Sequence, residues 1–150
     1  MSSQTPERQS KPRILTVEQA NRLLPEVRVF LAALRTQRAA LETLEQAIAV
    51  MELEGLRADG TMDAARQAAA EAKAAECSTQ MERFQETLHQ LDAVGCQLKD
   101  LNAGLVDFFT VHQGQLVCLC WKDGEESVRF WHTLDDSFAG RRPITELANN

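Results

Sequence analysis

The chain has 150 residues, of which 44% are hydrophobic and 25% are charged, as is usual for a globular protein with its own core. Sixteen basic and twenty-two acidic residues give a formal net charge of -6, which argues against binding along a phosphate backbone. No apolar run approaches the ~20 residues of a membrane-spanning helix, and residues 1–7 lack the apolar core of a signal peptide. We therefore expect a cytoplasmic protein that binds neither nucleic acid nor membrane.

Composition along the chain predicts a short tail followed by one domain. Residues 1–13 are polar and contain two prolines, so we expect a disordered N-terminal tail. Residues 14–150 are expected to form a single domain, with a helical hairpin over residues 14–94. A small antiparallel sheet and a C-terminal segment are expected over residues 95–150.

The first predicted helix begins at Thr16, because Thr16 and Gln19 have the spacing of a capping box. Pro25 is expected to kink or restart this helix, since it removes a backbone hydrogen bond. Over residues 25–53 the apolar residues repeat as in a coiled coil. One series is Val27, Leu34, Leu41 and Ile48, and the other is Phe30, Gln37, Leu44 and Met51.

A turn around Gly55 and Gly60 separates this helix from a second one, which is expected from about Met62 to Val94 and ends at Gly95. Its first half, residues 64–75, is mostly alanine, which favours helix but buries little apolar surface. Folding the chain about residue 58 pairs Phe30 with Phe84, Leu34 with Met81 and Val27 with Leu88.

The far end of this hairpin sets large apolar residues against alanines. Burial of apolar surface contributes ~25 cal/mol per Å² to stability. We therefore expect a second copy of the chain to cover this surface and form a homodimer with two-fold symmetry. The alternative is that close alanine packing is sufficient and the hairpin is monomeric. The candidate interface residues are Leu41, Leu44, Ile48 and Met51.

After Gly95 the period of the apolar residues changes to two, which predicts an antiparallel meander of three or four strands. The predicted fold class is therefore α+β. An Asp123-Gly124 turn between residues 116–121 and residues 127–132 is typical of a β-hairpin. Both tryptophans, two cysteines and one histidine lie in this hairpin.

Cys118, Cys120 and His132 are the candidate metal ligands. A three-residue hairpin loop places all three on one face, where thiolates and imidazole suit zinc. A loop of two or four residues turns His132 to the opposite face. No CxxC or HxxH pair offers a fourth ligand, and cysteines often simply fill strand interiors. The cysteines are expected as thiols in a reducing compartment.

Other residues of this region have two interpretations each. His132 is either a general base oriented by Asp136 or a structural residue. Trp121 and Trp131 either frame a small-molecule pocket or fill the core. Arg141 either binds an anion or fixes the C-terminal segment to Asp135 and Asp136. The sequence contains no phosphate loop, nucleophile elbow, zinc-protease or dinucleotide motif.

Motifs at both ends of the chain resemble a bacterial family, the domain-of-unknown-function family numbered 2203. They lie in residues 16–27, 99–108 and 116–144, and include Leu119-Cys120-Trp121 and Phe130-Trp131-His132. The resemblance extends over about residues 14–144 and implies a small bacterial cytoplasmic protein without an established activity. It places any family site at Lys99, Asp100, Asp107, Cys120, Trp121, Trp131, His132 and Arg141. Cys118 is not part of the family's pattern.

Two functions are favoured. The first is a non-enzymatic homodimeric interaction or assembly module without a cofactor, whose partner is a second copy of itself. The alternative is a small-molecule or metal-binding protein, with zinc as the metal and a site around Trp121, Trp131, His132 and Arg141. An enzyme that uses His132 with Asp136 ranks third. The candidate ligand-binding residues are Lys99, Asp100, Asp107, Trp121, Trp131, His132, Asp136 and Arg141.

Overall fold

The computed structural model describes residues 13–55, 60–61 and 63–147. Two long helices come first, α1 (Val17–Gly55) and α2 (Ala64–Val94). Five strands follow: β1 (Cys96–Asp100), β2 (Leu105–His112), β3 (Gln115–Lys122), β4 (Phe130–Thr133) and β5 (Arg142–Pro143). The predicted α+β fold with a helical hairpin is confirmed. The predicted disordered tail, up to residue 12, and the centre of the predicted turn lie outside the described residues.

The capping box at the start of α1 is confirmed. The backbone N–H of Thr16 donates to Gln19 Oε1 (2.9 Å), and the backbone N–H of Gln19 donates to Thr16 Oγ1 (3.1 Å). Of the kink or restart expected at Pro25, the restart is wrong, because Pro25 lies inside one continuous helix, and the kink stays a prediction. Leu24 and Val27 are both fully buried on either side of it, and their burial offsets the one lost hydrogen bond.

The buried stripe of α1 agrees only in part with the predicted coiled-coil series. Val27, Leu34 and Leu41 are buried as expected. The companion series is different, since the buried partners are Leu24 and Leu31, whereas Phe30 is only half-buried. Leu31 lies outside both predicted series. The stripe therefore alternates steps of three and four residues through Leu24, Val27, Leu31 and Leu34, as knobs-into-holes packing requires.

The chain divides into two compact units. We call residues 13–31 together with 90–147 the sheet unit, and the described part of residues 32–89 the hairpin unit. Both helices therefore contribute to each unit. The sheet unit contains all five strands and every candidate ligand residue.

Within the hairpin unit, Gln37 Nε2 donates to Thr87 Oγ1 (3.0 Å). Thr87 is buried, and a buried hydroxyl needs a polar partner. The expected pairing of Leu34 with Met81 is wrong, because in that register Thr87 would lie opposite Arg28. Leu34 is fully buried, while Met81 is 39% exposed. The expected pairings of Phe30 with Phe84 and of Val27 with Leu88 join residues of different units and stay predictions.

The candidate interface residues of the hairpin unit differ in exposure. Leu41 is buried by the chain itself, while Leu44, Ile48 and Met51 are half-buried. Ile48 lines a surface groove together with Ala70 and Ala74, so the expected alanines do lie opposite it. Neither α1 nor α2, over the residues described, is apolar enough to cross a membrane.

The sheet is an antiparallel meander in the order β1-β2-β3-β4-β5. It has five strands instead of the predicted three or four, because Arg142 and Pro143 pair with Trp131 and Phe130 at its edge. Near the N-terminus, the backbone N–H of Leu15 donates to the carbonyl of Phe109 (2.8 Å).

Alternation along the strands gives the sheet two different faces. One face, which we call the core face, is apolar and includes Val106, Phe108, Leu119, Trp121 and Trp131, all buried. Trp121 Nε1 donates to the carbonyl of Glu125 (2.9 Å), and the Arg28 guanidinium lies 5.4 Å from the centre of its ring. Of the two interpretations of the tryptophans, the structure therefore favours core packing.

Candidate functional site

The opposite face of the sheet, which we call the site face, contains buried polar side chains. Asp107 on β2 lies opposite Cys120 on β3, and Cys118 lies opposite His132 on β4. The sequence left two placements open, and the strand register gives the one with Cys118, Cys120 and His132 on a single face. The connection between β3 and β4 has seven residues (123–129) instead of three. Both lengths are odd, and an odd connection keeps the paired side chains on the same face.

His132 is held by hydrogen bonds at both ring nitrogens. Its Nδ1 lies 2.7 Å from the carbonyl oxygen of Thr133, and its Nε2 lies 3.0 Å from Asp107 Oδ2. A carbonyl oxygen only accepts, so Nδ1 carries a proton. A second proton must lie between Nε2 and Oδ2, since an ionised carboxylate also only accepts. Asp107 and His132 therefore share a proton in a buried environment.

This geometry corrects the expectation that Asp136 orients His132. Both ring nitrogens are occupied by Thr133 and Asp107. Asp136 Oδ1 instead accepts a hydrogen bond from the backbone N–H of Ser137 (3.0 Å). The partner of His132 was detectable only indirectly in the sequence, as a lone acid inside the apolar strand β2.

Cys120 completes a compact group with Asp107 and His132. A carboxylate oxygen of Asp107, the Cys120 Sγ and a ring nitrogen of His132 all lie within 4.8 Å of one another, and all three residues are buried. Asp107 therefore takes the place that the predicted ligand set gave to Cys118. The other carboxylate oxygen, Asp107 Oδ1, is buried and has no hydrogen-bond partner among the described residues.

The buried cysteines of the sheet unit are held as neutral thiols. Burial, followed by the negative charge of Asp107, raises the pKa of Cys120 to about 12 and that of Cys118 to about 11. Burial, followed by the charge of Asp92, raises the pKa of Cys96 to about 12. All four cysteines are free, as expected.

A pocket of about 270 Å³ lies on the site face. Asp107, Cys118 and His132 contribute to it from the sheet, together with the apolar side chains of Leu105 and Phe109. The segment after β4 supplies further lining residues: Leu134, Asp136, Ser137 and Phe138. Lys99 and Gln97 reach the pocket from β1.

Of the eight predicted ligand residues, this pocket brings together four, namely Lys99, Asp107, His132 and Asp136. Asp100 lies outside the pocket lining, and its Oδ1 accepts a hydrogen bond from the backbone N–H of Ala103 (3.0 Å) in the turn after β1. Trp121 and Trp131 project from the core face. The structure therefore does not bring the two tryptophans together with His132, because Trp131 and His132 are adjacent in one strand and point to opposite faces.

Arg141 lies beside this site and is fixed by three neighbours. Its Nη1 donates to both carboxylate oxygens of Glu125, at 2.9 and 3.2 Å. Its guanidinium carbon lies 4.1 Å from the ring centre of Phe130 and 4.0 Å from that of Phe138. Arg141 thus attaches the C-terminal segment to Glu125, and not to Asp135 and Asp136 as the sequence suggested.

The model of the family described as "Uncharacterized conserved protein (DUF2203)" matches residues 13–144 of the chain. The chain belongs to this family. The matched range includes both helices, all five strands and every site residue from Lys99 to Arg141. No curated protein and no solved structure gives a significant match. The DUF2203 description names no activity.

Proposed function

We propose that this DUF2203 protein binds a small molecule in the pocket above Asp107 and His132. The observation that carries the proposal is a buried carboxylate–imidazole pair in the lining of a pocket of about 270 Å³. Most binding pockets combine apolar walls with a few placed polar groups. At this volume the ligand is smaller than a typical drug molecule, whose pockets start at about 300 Å³.

The lining indicates the chemistry of the ligand. Leu105, Phe109 and Phe138 offer apolar surface that suits a flat hydrocarbon body. Asp107 contributes a buried oxygen that no described residue of the chain donates to, and such an acceptor favours a ligand that carries N–H groups. The proposed ligand is therefore a small aromatic or aliphatic amine.

Benzylamine and benzoate are suitable probes, because they share a ring and carry opposite charges. Titration of the full chain, followed by backbone amide NMR, should show benzylamine shifting resonances of β2 and β4 around the pocket. Benzoate should shift them less. Equal responses to both probes, or no response at millimolar concentration, would refute the proposal.

A matched pair of variants tests the location. Leu134, just after β4, lines the pocket and is 53% exposed, whereas Val111 on β2 is 46% exposed and does not line it. Leu134→Ala should weaken benzylamine binding several-fold, and Val111→Ala should leave it unchanged. An equal effect of the two variants would place the binding elsewhere.

We propose self-association of the hairpin unit as a second function. It is supported by Leu44, Ile48 and Met51 on α1, which lie on one face of the helix and are only half-buried. Large apolar side chains that the chain leaves partly uncovered favour a protein partner, and the coiled-coil spacing of α1 favours a second copy of the chain. Leu41 is already covered and is not included in this interface.

The solution mass tests this second function. The wild-type chain should sediment with the mass of two chains, and Leu44→Glu combined with Ile48→Glu should reduce it to one. Val29→Glu is the matched control, because Val29 is equally apolar, lies on the same helix and is 67% exposed. A wild-type chain with the mass of one chain would refute self-association.

Both functions are compatible with a cytosolic protein. Its four cysteines are free, and a reducing compartment keeps cysteines as thiols.

A further inference from the structure

We infer that Asp107, Cys120 and His132 bind one divalent cation of the zinc class. This inference deepens the proposed ligand site, since Asp107 and His132 also line its pocket. Oxygen, sulfur and nitrogen donors from three side chains form a ligand set that suits zinc and its neighbours in the first transition row.

The strand register brings the three donors together. They come from three adjacent strands, β2, β3 and β4, where Asp107 lies opposite Cys120. Their donor atoms lie within 4.8 Å of one another and all three side chains are buried. Sites built on strands are held more rigidly than sites on loops, so the ligands need little rearrangement to close around an ion.

The orientation of His132 is that of a metal-ligating histidine. Its Nδ1 donates to the carbonyl of Thr133 (2.7 Å), which fixes the ring and directs Nε2 towards Asp107 and Cys120. Histidine ligands usually have this arrangement, with one nitrogen on the metal and the other donating to a carbonyl or carboxylate.

An independent observation is the buried Asp107 Oδ1, which lacks a hydrogen-bond partner among the described residues. Buried carboxylate oxygens are normally paired. A cation at this position gives Oδ1 a partner, either directly or by a small shift of the carboxylate. The unpaired atom therefore points to a positively charged ligand.

Binding is a proton exchange with a defined balance. Without the ion, one proton lies between Asp107 and His132 and a second is on the Cys120 thiol. The cation replaces both, so one ion bound releases two protons and leaves two anionic ligands with one neutral imidazole. Net charge is then balanced within the site, and Arg141 remains neutralised by Glu125.

Three protein ligands leave a coordination position open, as in zinc sites that bind a further ligand. Asp107 and His132 face the pocket of about 270 Å³, so the open position is accessible from that pocket. Lys99 and Asp136 carry the remaining charges of its lining. A small molecule in the pocket can therefore supply the further ligand of the ion.

Cobalt(II) provides a direct test, because a cobalt–thiolate bond gives a charge-transfer absorption band. The full-length protein, stripped with a chelator, should bind one cobalt ion per chain, show this band and release two protons. Cys120→Ser should lose the band. Cys118→Ser is the matched control, since Cys118 lies two residues away on the same strand and face, and it should retain the band.

Each other result overturns the inference. If the band is lost in Cys118→Ser and retained in Cys120→Ser, the thiolate ligand is Cys118 and the inferred ligand set is wrong. Cobalt bound without the band would indicate an adventitious surface ion only. Circular dichroism of both variants identifies loss of folding, and Asp107→Asn then provides a second test, because it should weaken cobalt binding while retaining a hydrogen bond to His132.

The two proposals can fail separately. Cobalt is titrated without any organic probe, and benzylamine is titrated in the presence of a chelator. If only the cobalt band is absent, the metal site is refuted. If only the benzylamine-induced NMR shifts are absent, the small-molecule site is refuted.

Discussion

Asp107 and His132 contact each other across the central part of the sheet, with Nε2 of His132 3.0 Å from Oδ2 of Asp107. Asp107 belongs to β2 and His132 to β4, so the contact passes over β3 between Cys118 and Cys120. The two side chains are 3% and 5% exposed. This polar pair connects β2 to β4 across β3, on the face of the sheet that does not contribute to the apolar core.

The Asp107–His132 pair is expected to stabilise the fold as a unit. Asp107→Ala leaves a buried imidazole nitrogen unpaired and should lower the free energy of unfolding by about 3 kcal/mol. The double variant Asp107→Ala with His132→Ala should lose less than the sum of the two single variants. Urea denaturation measures all three, and strictly additive losses would contradict the coupling. Asp135→Ala, at an exposed acid, is the control and should change stability by less than about 0.5 kcal/mol.

Arg141 is expected to act through its planar shape as well as its charge. It is stacked between Phe130 and Phe138 and bonded to Glu125. Arg141→Lys retains the charge but loses the stacked guanidinium, and it should destabilise the chain by about 1 kcal/mol in urea denaturation. Arg129→Ala should have almost no effect, because its ion pair with Glu126 is solvent-exposed. Equal stability of Arg141→Lys and the wild type would show that charge alone is sufficient.

Alkaline pH is expected to destabilise the protein through its buried thiols. Burial raises the pKa of Cys96 and Cys120 to about 12 and that of Cys118 to about 11, from an ordinary value of 9.0. Above pH 9 the unfolded chain therefore releases protons that the folded chain retains. The stabilising contribution is complete below pH 9 and is lost as the pH rises towards 11 to 12, by about 1.4 kcal/mol per pH unit for each thiol.

Urea denaturation between pH 8 and pH 10.5 measures this slope. Cys96→Ala removes one of the three buried thiols and should make the decline above pH 9 less steep. An unchanged slope in this variant would show that the decline has another origin.

The capping box of α1 predicts a position-specific effect of threonine substitution. Thr16→Ala removes the acceptor for the N–H of Gln19 and should lower the free energy of unfolding by about 1 kcal/mol. Thr43 lies inside the same helix and donates to the carbonyl of Ala39. Thr43→Ala should be neutral or slightly stabilising, since alanine has the higher helix propensity. Equal losses at both positions, measured by urea denaturation, would contradict the capping role.

Local patterns in the sequence were sufficient for much of the fold. The Thr16–Gln19 spacing predicts the start of α1, and Gly95 predicts the end of α2, since glycine tolerates the positive φ that ends a helix. In the structure Gly95 has a φ of 112°, which residues with a Cβ rarely adopt. The change from period three-to-four to period two at residue 95 predicts the α+β order. The fifth strand was missed because two residues at a sheet edge have no periodicity of their own.

The candidate site was predicted only in part, because its residues come from strands that are distant in sequence. Cys120 and His132 share a face only if the β3–β4 connection has an odd number of residues, so strand alternation left their proximity as one of two alternatives. Asp107 becomes their partner only through the pairing of β2 with β3, which depends on contacts between segments distant in sequence. Trp131 and His132 are neighbours in sequence, but the pleat of β4 directs one into the core and the other into the site.

The sequence by itself determined the elements, their order and the class of fold, because capping, helix propensity and apolar period act over a few residues. Only the tertiary structure decided which side chains meet. Strand register and burial bring Asp107 to His132 and Glu125 to Arg141, and they hold the thiols in their neutral form. These are properties of the assembled sheet, since dehydration and pairing occur only where distant strands exclude water together.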